Sequence, residues 1–154
     1  MSSRSSRPSP ADPLTLEVVE LIGSVVARYH QEYDEAAGRY ALTGAQARLL
    51  TLLQHRPLPM REIARRLKCE PSNVTGIVDR LEARGLVERR SDPADRRVKL
   101  AAVTEEGHDT AERLRASLDF AREPLAELTP LERATLRELL QRMLGAERRE
   151  TAGE

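Results

Sequence analysis

Apolar residues recur every three or four positions in six stretches of the chain, and this spacing predicts helices. The longest stretch covers residues 14–37 and predicts a helix more than about 30 Å long, at roughly 1.5 Å per residue. Its apolar stripe is too continuous for one small domain to cover. We therefore expect a partner surface along this helix.

A second helix is predicted from the capping signal of Thr43 and Gln46. A threonine followed three residues later by glutamine has the form of a capping box, in which each residue bonds the other's backbone N–H. The apolar spacing continues to about His55. Pro57 and Pro59 then interrupt the chain, so the segment between this helix and the next is predicted to be irregular.

Two shorter helices follow over residues 60–67 and 71–83. Pro71 suits the first position of the fourth helix, and Gly85 is expected to end it in a left-handed conformation. Four residues are expected to face the core from this fourth helix: Val74, Ile77, Val78 and Leu81.

The spacing then changes to that of β-strands. Residues 86–90 and 98–103 predict two short strands, and the polar segment 91–97 predicts the turn that joins them into a hairpin.

Two further helices are predicted near the C-terminus. Thr104 caps the fifth, and Thr129 with Glu132 forms a second capping box at the start of the sixth. The predicted fold is mainly α with a small β-hairpin: a helix-turn-helix followed by a wing, with long helices on both sides.

Composition changes this picture little. Apolar residues make up 40% of the 154 residues and aromatic residues only 3%, so the core is expected to consist of aliphatic side chains. Residues 1–13 are rich in Ser, Pro and Arg and are expected to form a disordered tail rather than a secretory signal, and residues 149–154 a flexible end. No apolar run approaches the ~20 residues that span a bilayer. With one cysteine, these features favour a cytoplasmic protein.

The charge is unevenly distributed although the formal net charge is zero. Residues 61–99 carry eleven basic and seven acidic side chains, whereas residues 104–154 carry eight and twelve. The basic middle region is where a polyanion would bind. An ordinary solvated face would explain the charge equally well.

The outer face of the fourth helix is unusual for this Arg-rich chain. Small polar residues lie away from its apolar stripe, which is the pattern that close approach to a DNA groove requires. The candidates for base and backbone contacts are Ser72, Asn73, Thr75 and Gly76. Arg80, and Arg84 further along, could bind phosphates or pair with nearby carboxylates. The alternative is a plain amphipathic surface helix.

The predicted hairpin turn contains Asp95, Arg96 and Arg97. An arginine at a hairpin tip can enter a narrow minor groove, where negative potential is concentrated. Asp95 can hold one guanidinium in a bidentate pair and so orient the turn.

Taken together, these segments resemble the MarR-type winged-helix regulators of bacteria. The resemblance covers residues 14–148, and the motifs that carry it are Leu42-Thr43 with Gln46 and Leu49-Leu50, Ile63-Ala64 with Leu67, Val74-Thr75, Val78 to Glu82, Gly85 to Val87, Asp92-Pro93, Asp95 to Arg97, Leu100, and Thr104 to Gly107. No single motif decides the matter, but the ordered set is specific.

The resemblance implies a homodimer held by helices within 14–37 and 104–148, with a winged helix-turn-helix in residues 42–103. It implies a transcriptional regulator, usually a repressor, that binds a pseudo-palindromic double-stranded operator and is often released by a small phenolic or lipophilic effector. Tyr29, His30, Tyr33 and Arg48 are candidates to line the effector pocket, as are Tyr40 and His108. Several of these would serve equally well as core or interface residues.

Other functions are weaker interpretations. Cys69, in the turn before the fourth helix, suggests a redox-responsive regulator, although a lone cysteine is more often a small buried side chain. A winged-helix protein–protein adaptor is a further alternative, but it would expose apolar anchors on the fourth helix. The three histidines have no metal-ligand spacing, and no catalytic or phosphate-binding motif is present, so no enzyme activity, metal or cofactor is expected.

Overall fold

The computed structural model describes residues 12–145 and divides the chain into two units that separate after Arg122. Most of the predicted N-terminal tail (residues 1–11), the predicted flexible end (149–154) and the last residues of the 14–148 region lie outside the described residues. Among the described residues, no helix combines the length and apolar character needed to cross a bilayer.

The first unit contains five helices and three strands among its described residues. They are α1 (Pro13–Gly38), α2 (Gly44–Leu53), β1 (Leu58–Pro59), α3 (Met60–Leu67), α4 (Pro71–Ala83), β2 (Val87–Ser91), β3 (Lys99–Val103) and α5 (Glu105–Ala116). The second unit contains α6 (Pro130–Met143). The predicted bounds of α3 and α4 are confirmed, and the predicted mainly helical class with a small β wing is confirmed as well.

The predicted caps form as expected. The Thr43 hydroxyl accepts a bond from the Gln46 backbone N–H at 3.2 Å, and the Gln46 side chain accepts one from the Thr43 backbone N–H at 3.0 Å. Thr104 accepts a bond from the Gly107 N–H at 3.1 Å. Gly85 has a φ of 72°, the left-handed conformation predicted for it. Local side-chain chemistry therefore sets these helix ends.

The segment around Pro57 and Pro59 was predicted to be irregular, but it includes a third strand. Leu58 pairs antiparallel with Ala101, and Pro59 pairs with Leu100, so the sheet order is β1-β3-β2. A two-residue edge strand tolerates proline because one side of it needs no ladder hydrogen bond. It is also too short to show an alternating pattern, which is why the sequence gives no sign of it.

The core of the first unit collects apolar side chains from α2, α3, α4 and the sheet. Leu49, Leu50 and Leu53 of α2 are almost completely buried. Val74, Val78 and Leu81 of α4 are buried as predicted, whereas Ile77 is only half-buried at the edge. Burying a side chain of this size contributes roughly 1.5–3 kcal/mol. The core thus fixes the position of α4 from below.

Helix α1 has two different halves. Its last turns enter the core, where Tyr33, Ala36 and Ala37 are buried. Its first half leaves its apolar side chains exposed, including Leu14 at 67% and Leu21 at 59%. The helix begins at Pro13, where the Asp12 carboxylate accepts a bond from the Thr15 N–H at 3.0 Å.

The second unit has no buried side chain in α6. Its apolar residues are exposed instead, among them Leu131, Leu139, Leu140 and Met143. The predicted capping box at Thr129 and Glu132 is present. Exposed leucines at helical spacing indicate an interaction surface.

Candidate nucleic-acid interface and ligand cavity

The outer face of α4 presents the small polar residues that the sequence singles out. Ser72, Asn73 and Thr75 are exposed, and Gly76 is half-buried. Apart from its chain neighbours and the backbone of its own helix, no atom lies within 4 Å of the position that a Cβ of Gly76 would occupy, so the space in front of this glycine is open. The Thr75 hydroxyl donates to the Pro71 carbonyl at 3.3 Å within the helix. This face is free of bulky side chains and is accessible to a groove.

The two arginines of the α4 region have different surroundings. Arg80 is exposed and forms no ion pair with another described residue. Arg84 instead donates to the carbonyls of Ala41 at 2.7 Å and Tyr40 at 2.8 Å, at the end of α1. Arg84 therefore ties α4 to the α1–α2 connection, and Arg80 is the arginine that remains available to an anion.

Strand β2 is bound to α4 by an ion pair that the sequence pattern did not reveal. Arg89 donates to the carboxylates of Asp79 and Glu82, at 2.9 Å in the second case, and its backbone N–H also bonds Glu82 at 3.1 Å. These bonds offset part of the negative charge of the two carboxylates on the exposed side of α4. They also orient the hairpin relative to the helix.

The wing turn has the geometry expected for its aspartate. Arg97 donates from Nε and Nη2 to the two carboxylate oxygens of Asp95 at 3.1 and 3.2 Å, and its backbone N–H bonds Asp95 at 3.1 Å. These bonds, the Arg97 side chain first, hold the pKa of Asp95 below its ordinary value. The Arg97 side chain is 91% exposed. The turn is thus ordered by its own contacts and carries Arg96 and Arg97 into solvent.

The four predicted pocket residues line one cavity of about 630 Å³ in the first unit: Tyr29, His30, Tyr33 and Arg48. The Tyr29 ring centroid lies 5.1 Å from that of Tyr33 and 5.9 Å from that of His30. Burial, followed by the neighbouring Tyr33, raises the pKa of Tyr29 to about 12. A phenol at this position therefore stays protonated at neutral pH.

The two other candidates do not line this cavity. Tyr40 packs against the core, and His108 lies 3.3 Å from Glu112 on α5. Sequence reasoning missed several residues that do line it, and these include four basic ones: Arg66, Lys68, Arg115 and Arg122. They come from distant parts of the chain, so their spacing carries no signal.

Glu32 of α1 holds the segment after α5 that forms part of the cavity wall. Its carboxylate accepts three backbone bonds from the segment after α5, from Asp119 at 3.1 Å, Phe120 at 3.2 Å and Ala121 at 2.9 Å. The Arg28 guanidinium lies 4.3 Å from the centroid of the Phe120 ring. The backbone bonds, that from Ala121 first, lower the pKa of Glu32. This anchor holds Ala121 and Arg122 at the cavity.

Cys69 is a free, half-buried thiol in the turn between α3 and α4. Its backbone N–H bonds the Ala64 carbonyl at 3.1 Å, next to Lys68 in a left-handed conformation. It adjoins a smaller cavity of about 390 Å³ that includes Ser72, Asn73 and Arg80. Within the described part of the chain, no group of three His, Cys, Asp or Glu side chains could hold a metal ion.

Comparison with known proteins decides the family. The repressor NicR of Pseudomonas putida is 30% identical over 98% of this chain and 99% of its own length, and the MarR family model matches residues 42–99. The chain belongs to the MarR family. MarR-family membership makes it a helix-turn-helix transcriptional regulator, which confirms the resemblance and the DNA-binding prediction.

Solved MarR-family structures have the same fold. CouR from Rhodococcus jostii, bound to p-coumaroyl-CoA, is 30% identical with a TM-score of 0.69, covering 88% of this chain and 95% of CouR. A cysteine-to-serine mutant of E. coli MarR, complexed with operator DNA, is 26% identical with a TM-score of 0.64, covering 87% of this chain and 99% of that one. These relatives support a DNA-binding regulator over the adaptor and redox alternatives.

Proposed function

We propose that this MarR-family regulator is a homodimeric repressor that binds a pseudo-palindromic operator through α4 and the wing. A small effector releases it from DNA by binding in the cavity of about 630 Å³ that Tyr29 lines, which we call the Tyr29 cavity. The observation that carries the proposal is the exposed, small-residue face of α4, which a buried apolar face fixes in place from below.

Helix α4 is suited to direct readout of bases. The major groove of B-DNA admits an α-helix, and an asparagine can donate and accept in a bidentate pair with adenine. Ser72 and Asn73 lie in the first turn of α4, where recognition helices contact base edges. Thr75 and Gly76 allow close approach of the backbone. Arg80, with no carboxylate partner among the described residues, is placed to bind a phosphate.

The wing is suited to the minor groove beside the bases that α4 reads. Arg96 is exposed, and Arg97 keeps donors in addition to the two that it gives to Asp95. Asp95 reduces the freedom of the Arg97 side chain before DNA arrives, so less entropy is lost on binding. The wing therefore presents its two arginines to DNA from an ordered turn rather than from a flexible loop.

Dimerisation through α1 and α6 would use the exposed apolar residues of both helices. Contiguous exposed apolar surface on a folded protein marks an interaction site. A two-fold dimer would present two α4 helices to one face of a duplex, with half-sites about one helical turn apart. Pairing of two copies explains both apolar surfaces with a single partner.

The effector site is supported by the size and chemistry of the Tyr29 cavity. Small-molecule sites are usually clefts of roughly 300–1,000 Å³ with apolar walls and a few polar groups, and this cavity falls in that range. The solved relative CouR holds p-coumaroyl-CoA. Since α1, α2 and α5 all contribute to the cavity wall, a bound ligand can shift the relative positions of the dimer helices and the DNA-binding body.

The test is titration of purified protein into a labelled duplex from the intergenic DNA beside its gene. We expect retention of an inverted repeat, with affinity that falls steeply as salt rises. Arg80→Ala should weaken binding and flatten the salt dependence, whereas Arg113→Ala, an exposed arginine of α5, should change neither. A protein that ignores every duplex from its own promoter at low salt would refute the proposal.

A further inference from the structure

The wall of the Tyr29 cavity carries several cations and no carboxylate among its described residues. Five permanently charged side chains contribute to its wall, namely Arg48, Arg66, Lys68, Arg115 and Arg122, and no aspartate or glutamate is among the described residues that line it. A cavity for a neutral aromatic ligand would not need this charge. The charge of the cavity lining therefore indicates more about the ligand than the cavity volume does.

Four of the five cations lack a carboxylate partner. Arg66 pairs with Glu62 at 2.8 Å, but the other four form no ion pair with any described residue. Of the acids on neighbouring elements, Glu32 accepts three backbone bonds from the segment after α5, and Glu112 contacts His108. Like charges that line one cavity repel one another, so an anion bound among them is favoured.

The remaining wall of the cavity is aromatic and aliphatic. The rings of Tyr29 and Tyr33 lie in contact, and Val26 and Leu52 contribute apolar surface. Tyrosine is uncharged at neutral pH and burial raises the pKa of Tyr29 further, so this wall adds no negative charge of its own. The cavity therefore offers a flat apolar surface together with several separate cationic groups.

We propose that the effector is an aromatic compound with at least two negative charges; this rests on the proposed role of the cavity as the effector site. A single carboxylate satisfies one guanidinium in a bidentate pair and leaves the other cations uncompensated. Phosphate groups or a second carboxylate would bind the others, and arginine matches phosphate geometry well. An aromatic acyl group on a phosphorylated carrier and a free aromatic dicarboxylate share this chemistry.

The test compares ligands of equal aromatic character and different charge by isothermal titration calorimetry on the DNA-free protein. The probes are p-coumaroyl-CoA and phthalate as polyanions, with p-coumarate and benzoate as their monoanionic counterparts, and coenzyme A alone. We expect at least one polyanion to bind about tenfold more tightly than its monoanion. Binding of p-coumaroyl-CoA alone identifies a phosphorylated carrier, and binding of phthalate alone a free diacid. Equal binding within each pair, or no binding by any probe, would overturn the proposal.

Variants of the cavity arginines separate this proposal from the proposed DNA binding. Arg115→Ala and Arg122→Ala should each weaken the polyanion by about tenfold and change the monoanion less than about twofold. Operator affinity without ligand should stay as in the wild type, as it should for Arg113→Ala, whose side chain is outside the cavity wall. Loss of operator affinity in the ligand-free variants would assign these cations to DNA phosphates and overturn the effector proposal alone. Failure of the wild-type protein to bind any operator would instead refute the regulator proposal.

Discussion

The winged-helix body and the first half of α1 use leucine in opposite ways. In the body, Leu49, Leu50 and Leu53 are buried among side chains of the same unit. In α1, Leu14 and Leu21 are more than half exposed. The same residue type at the same helical spacing therefore stabilises the fold in one region and forms an exposed apolar surface in the other.

This difference separates folding from assembly. A buried leucine contributes roughly 1.5–3 kcal/mol only when it is removed from water. In the body that contribution is available to one chain alone. In α1 and α6 it becomes available when another surface covers the helices, so it depends on protein concentration.

The largest effect is expected in the body. Leu50→Ala should lower the free energy of unfolding by about 2–5 kcal/mol, because the side chain is fully buried and its removal leaves a cavity. Urea denaturation at several protein concentrations measures this loss. The matched variant Leu16→Ala, on the exposed face of α1, should have little effect at concentrations where the protein is monomeric. Equal losses in the two variants would contradict the comparison.

The next effect concerns assembly. Leu21→Asp should dissociate the dimer, because a charge cannot be buried in an apolar interface without a partner. Operator affinity should then fall by roughly 100-fold, since each half-site is bound singly. Sedimentation velocity measures the mass, and Leu21→Met, which keeps the apolar surface, is the control. A dimeric Leu21→Asp protein would place the interface away from this part of α1.

A smaller effect is expected in the wing. Its turn is ordered by polar contacts, whereas the body is ordered by apolar ones. Arg97→Ala should weaken operator binding by about 1–3 kcal/mol if the side chain enters the minor groove. Asp95→Ala should weaken it less, because Arg97 remains but loses its bidentate partner. Fluorescence anisotropy with the operator duplex measures both variants. Unchanged affinity of Arg97→Ala would exclude this arginine from the interface.

The smallest effect is expected at Glu32, where the packed half of α1 holds the segment after α5. Glu32→Gln should lower Tm by about 2–4 °C at neutral pH, because the amide supplies one acceptor oxygen instead of two. The pKa of Glu32 is lowered in the fold, so its contribution is present above its ordinary pKa and is lost as pH falls through the lowered value. The Tm difference should therefore shrink as pH falls below the ordinary glutamate pKa and disappear once pH lies below the lowered one. A Tm difference that does not change with pH would contradict the charged anchor.

Local signals in the sequence predicted most of the fold. The bounds of α3 and α4, the capping box at Thr43 and the left-handed Gly85 all depend on residues within a few positions of one another. The Asp95–Arg97 pair was predictable for the same reason. Contacts of this kind are encoded by residue type and spacing alone.

Long-range contacts were not predictable in this way. Strand β1 depends on pairing with β3, some forty residues away. The bonds of Arg84 and Arg89 depend on how α4 is placed, and both arginines had other carboxylates nearby in sequence. The basic wall of the Tyr29 cavity joins α3, α5 and the segment after α5. Such groupings arise only from the folded topology.

The bonds from Arg84 to Tyr40 and Ala41 have a consequence for how the protein can change over evolution. Both acceptors are backbone carbonyls, which every amino acid carries, so side-chain replacements at these two positions leave the acceptors in place. Ala41 has a φ of 52°, where glycine and asparagine are accommodated and branched side chains are strained. An added or deleted residue between α1 and α2 would move both acceptors away from the guanidinium. The connection should therefore vary in composition within the limits set by the Ala41 backbone and the packed Tyr40 ring, and very little in length.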